Sequence, residues 1–215
     1  MLQEITPAGA WERFATRATP RRATNAAGAT TWLNWTPYPD HGPDETILGD
    51  VRGKRVLELG SGSGANLAHL ATLGARCTGV DIAPSRTTTA ELRWGRGSDL
   101  EFVTQEAADY LRESADHFDI VISIFGATWF TDPTMLLPLI CRRLAPNGLL
   151  IFSHNDEQSA ADEPQHAIKK WNLSGQRWVD SLHDAGFATA AFEIVPPPQA
   201  DLPGTLLVRG TAPSI

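Results

Sequence analysis

Cysteine is scarce in this chain of 215 residues. Its two cysteines, Cys77 and Cys141, each lie inside an apolar run, and neither has a Cys or His partner at metal-site spacing. This usage predicts buried free thiols in a reducing compartment. Because the first residues also lack the apolar core of a signal peptide, we expect a cytoplasmic protein.

Long apolar runs and basic runs are also missing. The longest apolar stretches, such as 119–129 and 148–153, are far shorter than the ~20 residues of a membrane-spanning helix. Asp and Glu number 25 against 18 Lys and Arg, which gives a net charge of −7. Proteins that grip long nucleic acids usually carry a basic surface. We therefore expect neither a membrane nor a nucleic-acid partner.

Short apolar segments alternate with amphipathic segments from residue 54 onward, and helical segments separate all but the last two of the strands. We predict strands at 55–59, 75–80, 100–104, 118–124, 149–153, 188–195 and 205–210, and helices at 65–73, 84–94, 106–114, 133–144 and 174–185. This alternation indicates a parallel sheet covered on both faces. The predicted fold is an α/β, doubly wound, Rossmann-like seven-stranded sheet with an antiparallel C-terminal edge hairpin.

The first part of the chain has a different pattern. We expect residues 1–43 to form a short helical and lid-like extension, and residues 44–215 to form the main domain. Apolar residues at helical spacing predict a helix over 7–17. Residues 31–43 are dense in aromatics and prolines, which is typical of an ordered loop or lid.

A glycine-rich turn follows the first predicted strand, in the segment VLELGSGSG (Val56–Gly64). Gly60 and Gly62 permit positive φ and let a ligand approach the main chain, while the next helix presents free N–H groups. Asp81 lies 21 positions after Gly60, at the carboxyl end of the next strand. A carboxylate there can accept hydrogen bonds from both ribose hydroxyls. The pattern predicts a site for a nucleoside cofactor.

Two cofactors fit this pattern. Gly60, Gly62 and Ala65 match the G-x-G-x-x-G/A fingerprint of dinucleotide sites. Glu58 is awkward beside a pyrophosphate but suits a ligand with an ammonium and a sulfonium group, and Gly64 completes E-x-G-x-G-x-G. Neither tyrosine is followed four positions later by lysine, as in the dyad of short-chain dehydrogenases. These features favour S-adenosylmethionine, with NAD as the alternative.

With these motifs in place, the chain resembles the class I S-adenosylmethionine-dependent methyltransferases over residues 40–209. VLELGSGSG is similar to the family's first motif, GVDI to its second and FVTQEAADYL to its third. FDIVISIFGATWFTDP resembles the fourth strand and the turn over the cofactor. RRLAPNGLLIFS resembles the family's L-x-P-G-G segment, with Asn147 in place of the first glycine. Asn tolerates left-handed backbone better than most residues.

The resemblance implies a set of cofactor contacts. Glu106 and Ala107 would meet the adenine, and Ile124 and Phe125 would cover the methionine part, with core packing as the alternative for Phe125. Tyr38 would reach the sulfonium or the methionine carboxylate, unless its loop only packs on the sheet. The full expected set is Glu58, Gly60, Ser61, Gly62, Gly64, Asp81, Ile82, Glu106, Ala107, Ile124, Phe125 and Tyr38. The product of the reaction would be S-adenosylhomocysteine.

His154 is the candidate catalytic residue. It follows the fifth predicted strand, where substrate-facing residues are expected, and a neutral histidine there can take a proton from the acceptor. A solvated loop histidine is the alternative. Asn155-Asp156 resembles half of the metal site of catechol-type O-methyltransferases. The fourth strand ends in Ser123-Ile124-Phe125 and lacks the Asp that such a site needs, so we predict no metal.

Tryptophan is plentiful, with seven residues against two tyrosines. Four of them, Trp32, Trp35, Trp129 and Trp171, fall in segments expected around the acceptor, together with His41. They predict an apolar, aromatic pocket for a flat acceptor, or else they pin the lid to the sheet.

The sequence thus predicts in-line methyl transfer to N, O, S or C of a small molecule by a monomer or homodimer. An NAD-dependent oxidoreductase and a non-catalytic S-adenosylmethionine-binding protein remain the alternatives.

Overall fold

The structure is a computed structural model that describes residues 6–17, 21–95, 99–156 and 168–214. Helices and strands alternate along most of the described chain. The helices are α1 (Pro7–Arg17), α2 (Ala65–Thr72), α3 (Pro84–Trp94), α4 (Ala107–Glu113), α5 (Ala127–Phe130), α6 (Pro133–Arg143) and α7 (Gly175–Asp184), with a 3-10 helix at Glu45–Leu48. The strands are β1 (Arg55–Leu59), β2 (Arg76–Asp81), β3 (Leu100–Thr104), β4 (Phe118–Ile124), β5 (Leu144–Asn155), β6 (Thr189–Val195) and β7 (Thr205–Thr211).

These strands form one seven-stranded sheet in the order β3-β2-β1-β4-β5-β7-β6. The first five strands are parallel, and β7 runs antiparallel between β5 and β6. The predicted doubly wound sheet with a C-terminal antiparallel hairpin is confirmed. The strand order reverses between β1 and β4, and ligands of open α/β sheets bind at the carboxyl ends of strands at such a point.

Side chains of β1 alternate between two apolar layers, one on each face of the sheet. Leu57 and Leu59 pack in the layer that holds α4, α6 and α7, whereas Val56 packs in the layer that holds α2 and α3. Glu58 points to the same side as Val56, because successive strand residues face opposite ways. A carboxyl group therefore enters the α2 layer from the middle of the sheet.

The extension contributes to the second of these layers. Leu33 and Trp35 are buried in it, and Trp35 is fully buried. The Trp35 indole donates to the Asp44 carbonyl at 3.2 Å, and the Trp35 carbonyl accepts from Ser153 Oγ at 2.7 Å. This placement favours the interpretation in which Trp35 pins the extension to the sheet, and it gives Trp35 a core role that the acceptor prediction did not include.

Some boundaries differ from prediction for local reasons. β5 runs from Leu144 to Asn155, because the chain re-enters the sheet through a turn in which Asn147 adopts a φ of 58°. The expected tolerance of Asn147 for a left-handed turn is confirmed. Helix α5 has four residues, too few for a helical pattern to appear in the sequence. Cys77 is buried as predicted, whereas Cys141 is half-buried, and both are free thiols.

No helix in the described part of the chain is both long enough and apolar enough to cross a membrane.

Candidate cofactor and acceptor site

The glycine-rich turn between β1 and α2 packs closely on the connection between β4 and α5. Gly60 has a φ of 80°, and a Cβ there would lie 2.7 Å from Ala127 N and 2.8 Å from Gly126 Cα. Gly62 has a φ of 55°, but a Cβ there would meet nothing within 4 Å. The turn is thus closed on the β4 side and open at Gly62, where a ligand can approach the main chain.

The same turn is braced by the end of β2. The Gly60 and Ser61 amides donate to the Val80 carbonyl at 2.8 and 3.1 Å. Asp81 Oδ2 accepts from the Gly62 amide at 2.8 Å, and Oδ1 accepts from the Ala83 amide at 2.9 Å. Burial raises the pKa of Asp81, although both amides favour the ionised form. Each carboxylate oxygen keeps a second acceptor site, which is what two ribose hydroxyls require.

Glu58 is buried beneath this turn with half of its carboxyl group unsatisfied. Oε1 accepts from Asn66 Nδ2 at 2.9 Å, whereas Oε2 has no hydrogen-bond partner among the described residues. Burial raises the pKa of Glu58 to about 8, with the Asn66 hydrogen bond opposing the rise and Asp81 adding to it. Burying a carboxyl oxygen without a partner is costly, so this atom marks a place where a donor or a cation is missing.

Asn66 and Arg21 were not predicted from the sequence. Arg21 Nη1 donates to Asn66 Oδ1 at 3.2 Å, and Nη2 donates to the Trp32 carbonyl at 2.9 Å. No motif identifies them, because the contact depends on the path of the extension over α2.

The residues expected at the adenine lie at the start of α4. Glu106 is the N-cap of this helix, and its Oε2 accepts from the Ala108 and Asp109 amides at 2.8 and 3.1 Å. Ala107 is buried beside it, and Ile82 is half-buried at the end of β2. Glu106 therefore has a helix-capping role, and its contact with adenine stays a prediction.

The turn after β4 is strained and firmly held. Phe125 adopts a φ of 49°, and its amide donates to the Ser153 carbonyl at 2.8 Å. Ser123 Oγ donates to the Leu59 carbonyl at 2.8 Å and accepts from the Thr128 amide at 3.2 Å. Left-handed backbone at a bulky residue persists where the surroundings impose it and is enriched at functional sites. Ile124, which precedes this turn, packs against the α2 layer.

Aromatic side chains cluster beside this turn. Trp129 stacks on His154 with ring centroids 5.3 Å apart, and the Phe125 ring meets Trp129 edge-on at 5.7 Å. The Trp129 indole donates to Asn172 Oδ1 at 2.7 Å, and the Trp171 amide donates to the Trp129 carbonyl at 2.8 Å. The structure thus brings together Trp129, Trp171 and His154, which the sequence analysis assigned to the acceptor.

His154 lies within β5 and is fully buried. The alternative of a solvated loop histidine is therefore wrong. Its Nδ1 lies 2.7 Å from the Asn155 carbonyl, so we assign the ring hydrogen to Nδ1. Nε2 then carries a lone pair that has no partner among the described residues. Burial lowers the pKa of His154 to about 4, so the ring is neutral at physiological pH.

Tyr38 and His41 hold the connection between β6 and β7. The Tyr38 hydroxyl donates to the Pro203 carbonyl at 2.5 Å, and His41 Nε2 lies 2.7 Å from the Pro196 carbonyl. Their rings meet edge to face at 6.0 Å. The expected contacts of Tyr38 with the cofactor and of His41 with the acceptor stay predictions.

Helix α1 spans the crevice above the end of β1. The Trp11 ring meets the Phe130 ring of α5 at 4.5 Å, and Glu12 Oε2 accepts from the Ser85 amide of α3 at 3.3 Å. Helices α3 and α5 follow β2 and β4, the two neighbours of β1. Helix α1 thus links the two helices that flank the glycine-rich turn, and a lid role for the extension stays a prediction.

Comparison with known proteins identifies the family. The model of a methyltransferase domain family matches residues 40–192. The chain belongs to this family. The ubiquinone biosynthesis O-methyltransferase of Xanthomonas oryzae is 32% identical over 113 residues, 52% of this chain and 47% of that protein. The corresponding enzyme of Azorhizobium caulinodans is 29% identical over 112 residues, 52% and 44% of the two chains. The chain spans about half the length of the curated relatives it matches.

Solved structures of methyltransferases share the fold. The 1,6-didemethyltoxoflavin-N1-methyltransferase of Burkholderia thailandensis, with 1,6-didemethyltoxoflavin and S-adenosylhomocysteine bound, superposes with a TM-score of 0.62. It is 24% identical over 79% of this chain and 74% of that chain. An S-adenosylmethionine-dependent methyltransferase of Mesorhizobium loti has a TM-score of 0.63 and 20% identity, over 78% and 94% of the two chains. At such identities the likeness shows the methyltransferase fold and nothing finer.

The two glycines of the turn give a matched pair of variants. Gly60→Ala combines a left-handed φ with overlap against main-chain atoms, so we expect it to lower the free energy of unfolding by about 3 kcal/mol. Gly62→Ala has the φ cost alone, about 1 kcal/mol. Urea unfolding measures both values. Equal losses would contradict the close packing of the turn on the β4–α5 connection.

His154 makes stability depend on pH. Its pKa is lower in the folded protein than in the unfolded chain, so stability is lost as pH falls below about 6.5. Between pH 7 and pH 5 we expect this residue to lower the free energy of unfolding by about 2 kcal/mol. His154→Phe should remove that part of the loss, and a His117→Gln variant at an exposed site serves as control. A pH dependence equal to that of the wild type in His154→Phe would refute the assignment.

Proposed function

We propose that this protein is an S-adenosylmethionine-dependent methyltransferase that methylates a small, planar, aromatic acceptor. The observation that carries the proposal is the unpartnered Oε2 of buried Glu58, beneath a glycine turn that is open at Gly62. Asp81 lies at the end of the next strand, and each of its carboxylate oxygens can accept one more hydrogen bond. Membership of the methyltransferase domain family supports the same conclusion.

The residues of the turn fit this cofactor. A cationic amino group would satisfy Glu58 Oε2 and favour the ionised carboxylate. Asp81 would accept from the ribose hydroxyls, while Glu106, Ala107 and Ile82 would border the adenine. When bound, S-adenosylmethionine supplies a methyl group on a positively charged sulfur. A dinucleotide would instead bring a pyrophosphate toward a buried carboxyl group, which disfavours the NAD alternative.

The aromatic cluster supports a planar acceptor. The Lys169 ammonium lies 4.0 Å from the centre of the Trp171 ring, and the Lys170 ammonium lies 4.6 Å from that of Trp129. Cation–π contacts near the surface contribute only about 0.5–1 kcal/mol, so displacing them costs little. We propose that the acceptor ring replaces them against Trp129 and Trp171. The Burkholderia enzyme, solved with 1,6-didemethyltoxoflavin bound, is a precedent for a small-molecule acceptor on this fold.

The chain's task in the reaction is to hold the nucleophile in line with the methyl group and to exclude water. His154 already donates through Nδ1, so Nε2 accepts an O–H or N–H of the acceptor. Because a pKa of about 4 makes the imidazole a weak base, its larger contribution is to orient the nucleophile rather than to store its proton. We therefore propose that His154 is the catalytic residue and that it acts by orienting the nucleophile.

Methyl transfer is tested directly by incubating the protein with methyl-labelled S-adenosylmethionine and an extract of small molecules, followed by mass spectrometry. We expect a labelled aromatic product and S-adenosylhomocysteine. Tight binding of S-adenosylhomocysteine with no labelled product from any extract would instead support a non-catalytic cofactor-binding protein. A co-purified NAD would overturn the proposal.

Glu58 gives the proposal a pH signature. An ammonium group binds the ionised carboxylate, and the carboxyl has a pKa of about 8 in the ligand-free protein. Affinity for S-adenosylhomocysteine should therefore rise as pH increases from 6 to 8, by up to about tenfold per unit. Calorimetry in buffers of different ionisation enthalpy should detect the proton that Glu58 releases when S-adenosylhomocysteine binds below pH 8.

Glu58→Gln is the matched variant, since Gln can keep the hydrogen bond with Asn66. We expect it to weaken binding and to flatten the pH dependence below pH 8. It should also stabilise the ligand-free protein at pH 7, because burial of the ionisable group is removed. An unchanged pH profile in Glu58→Gln would mean that another group binds the ammonium.

A further inference from the structure

The N-terminal extension reaches Glu58 of the candidate cofactor site through a chain of polar contacts. We propose that Arg21 is a positioning residue for Glu58, acting through Asn66, so that the extension completes the cofactor site. The inference rests on the proposed function, since Glu58 is the residue assigned to the cofactor's ammonium group.

The chain of contacts runs from the extension through α2 to β1. Arg21 Nη1 donates to Asn66 Oδ1 at 3.2 Å, and Asn66 Nδ2 donates to Glu58 Oε1 at 2.9 Å. An amide has one acceptor end and one donor end, and a guanidinium can only donate. Arg21 therefore fixes which way the Asn66 amide faces, with its NH₂ group toward the carboxyl. A donor in that place favours the ionised form of Glu58.

Arg21 itself is held in one position. Its Nη2 donates to the Trp32 carbonyl at 2.9 Å, and the guanidinium lies 3.9 Å from the centre of the Trp32 ring. The neighbouring Arg22 pairs with Asp40, which also accepts from the Ala26 amide at 3.1 Å. The extension is thus folded back on itself around the arginine that reaches Asn66.

The groups around Glu58 come from three elements. Asn66 of α2 donates to it, and Asp81 of β2 disfavours its ionisation. Cys77, also of β2, is a buried thiol whose own pKa is raised to about 12 by burial and by Glu58, so it stays neutral. Arg21 of the extension supplies positive charge that favours the ionised carboxylate. Removal of Arg21 therefore leaves Glu58 harder to ionise.

The position of Arg21 couples binding of the cofactor to the placement of the extension. When Glu58 ionises to bind an ammonium group, the hydrogen bond that it accepts from Asn66 becomes stronger, because hydrogen bonds to charged groups are the stronger ones. The interaction of Arg21 with Asn66 is strengthened in turn. Binding of the cofactor then favours the seated extension, and a seated extension favours binding, as linkage requires.

The test uses the full chain and begins with the ligand-free protein. ¹³C NMR of Glu-labelled protein, with the Glu58 signal assigned by its loss in Glu58→Gln, follows the titration of this carboxyl. We expect the midpoint to move to higher pH in Arg21→Gln and in Asn66→Ala, and to recover in part in Arg21→Lys. Arg22→Gln removes the same charge one residue away and should move the midpoint less, since Arg22 pairs with Asp40 rather than with Asn66.

Calorimetry with S-adenosylhomocysteine at pH 7 gives the second readout. We expect Arg21→Gln to weaken binding by roughly threefold, because a rise of about half a unit in the carboxyl's midpoint lowers its ionised fraction by that factor. The double variant Arg21→Gln, Asn66→Ala should lose clearly less affinity than the two single losses added together, since Arg21 acts on Glu58 largely through Asn66 and only in part through its charge.

The outcomes separate the two proposals. An unchanged Glu58 titration in Arg21→Gln, an equal shift in Arg22→Gln, or full additivity in the double variant would each overturn the role of Arg21. Absence of S-adenosylhomocysteine binding by the wild type at every pH overturns the proposed function instead.

Discussion

The site depends on the close approach of two main-chain segments, the turn after β1 and the turn after β4. Neither Gly60 nor Gly126 tolerates a Cβ, because each would overlap backbone of the other segment. Ser123 Oγ closes the gap by donating to the Leu59 carbonyl. This contact forms the base of the crevice at which the strand order reverses. Every candidate cofactor residue is placed relative to it.

Among the buried side chains with an unpartnered polar atom near this crevice, two are titratable, and they lie on opposite faces of the sheet. Glu58 is in the α2 layer with a free carboxyl oxygen, and His154 packs with Phe152 and Trp178 of the α7 layer, with a free ring nitrogen. Each unpartnered atom lowers the stability of the ligand-free protein, because burial removes the water that would otherwise hydrogen-bond to it. Such groups persist where a ligand supplies what the fold lacks. Under the proposed function, Glu58 faces the cationic amino group of the cofactor and neutral His154 faces the acceptor.

Local patterns predicted the fold and the cofactor half of the site. Glycine spacing and strand periodicity predicted the β1–turn–α2 unit and the position of Asp81. The edge hairpin was predicted because no helical pattern lies between the last two strands. Features that depend on contacts between distant parts of the chain could not be predicted from local patterns. The burial of His154 depends on where β5 ends, and the core position of Trp35 depends on the path of the extension. Arg21 and Asn66 are 45 positions apart and lie in no motif, so only the folded chain reveals their contact.

Ser153 explains why the extension and the site form one unit. Its Oγ donates to the Trp35 carbonyl in the extension, and its own carbonyl accepts from the Phe125 amide in the strained turn. One residue of β5 thus fixes the segment that carries Arg21 and also the turn expected over the methionine part of the cofactor. A shift of either segment would be transmitted to the other through a buried residue that cannot move freely. The extension is therefore anchored in the core of the domain through Trp35, and Ser153 links this anchor to the turn after β4.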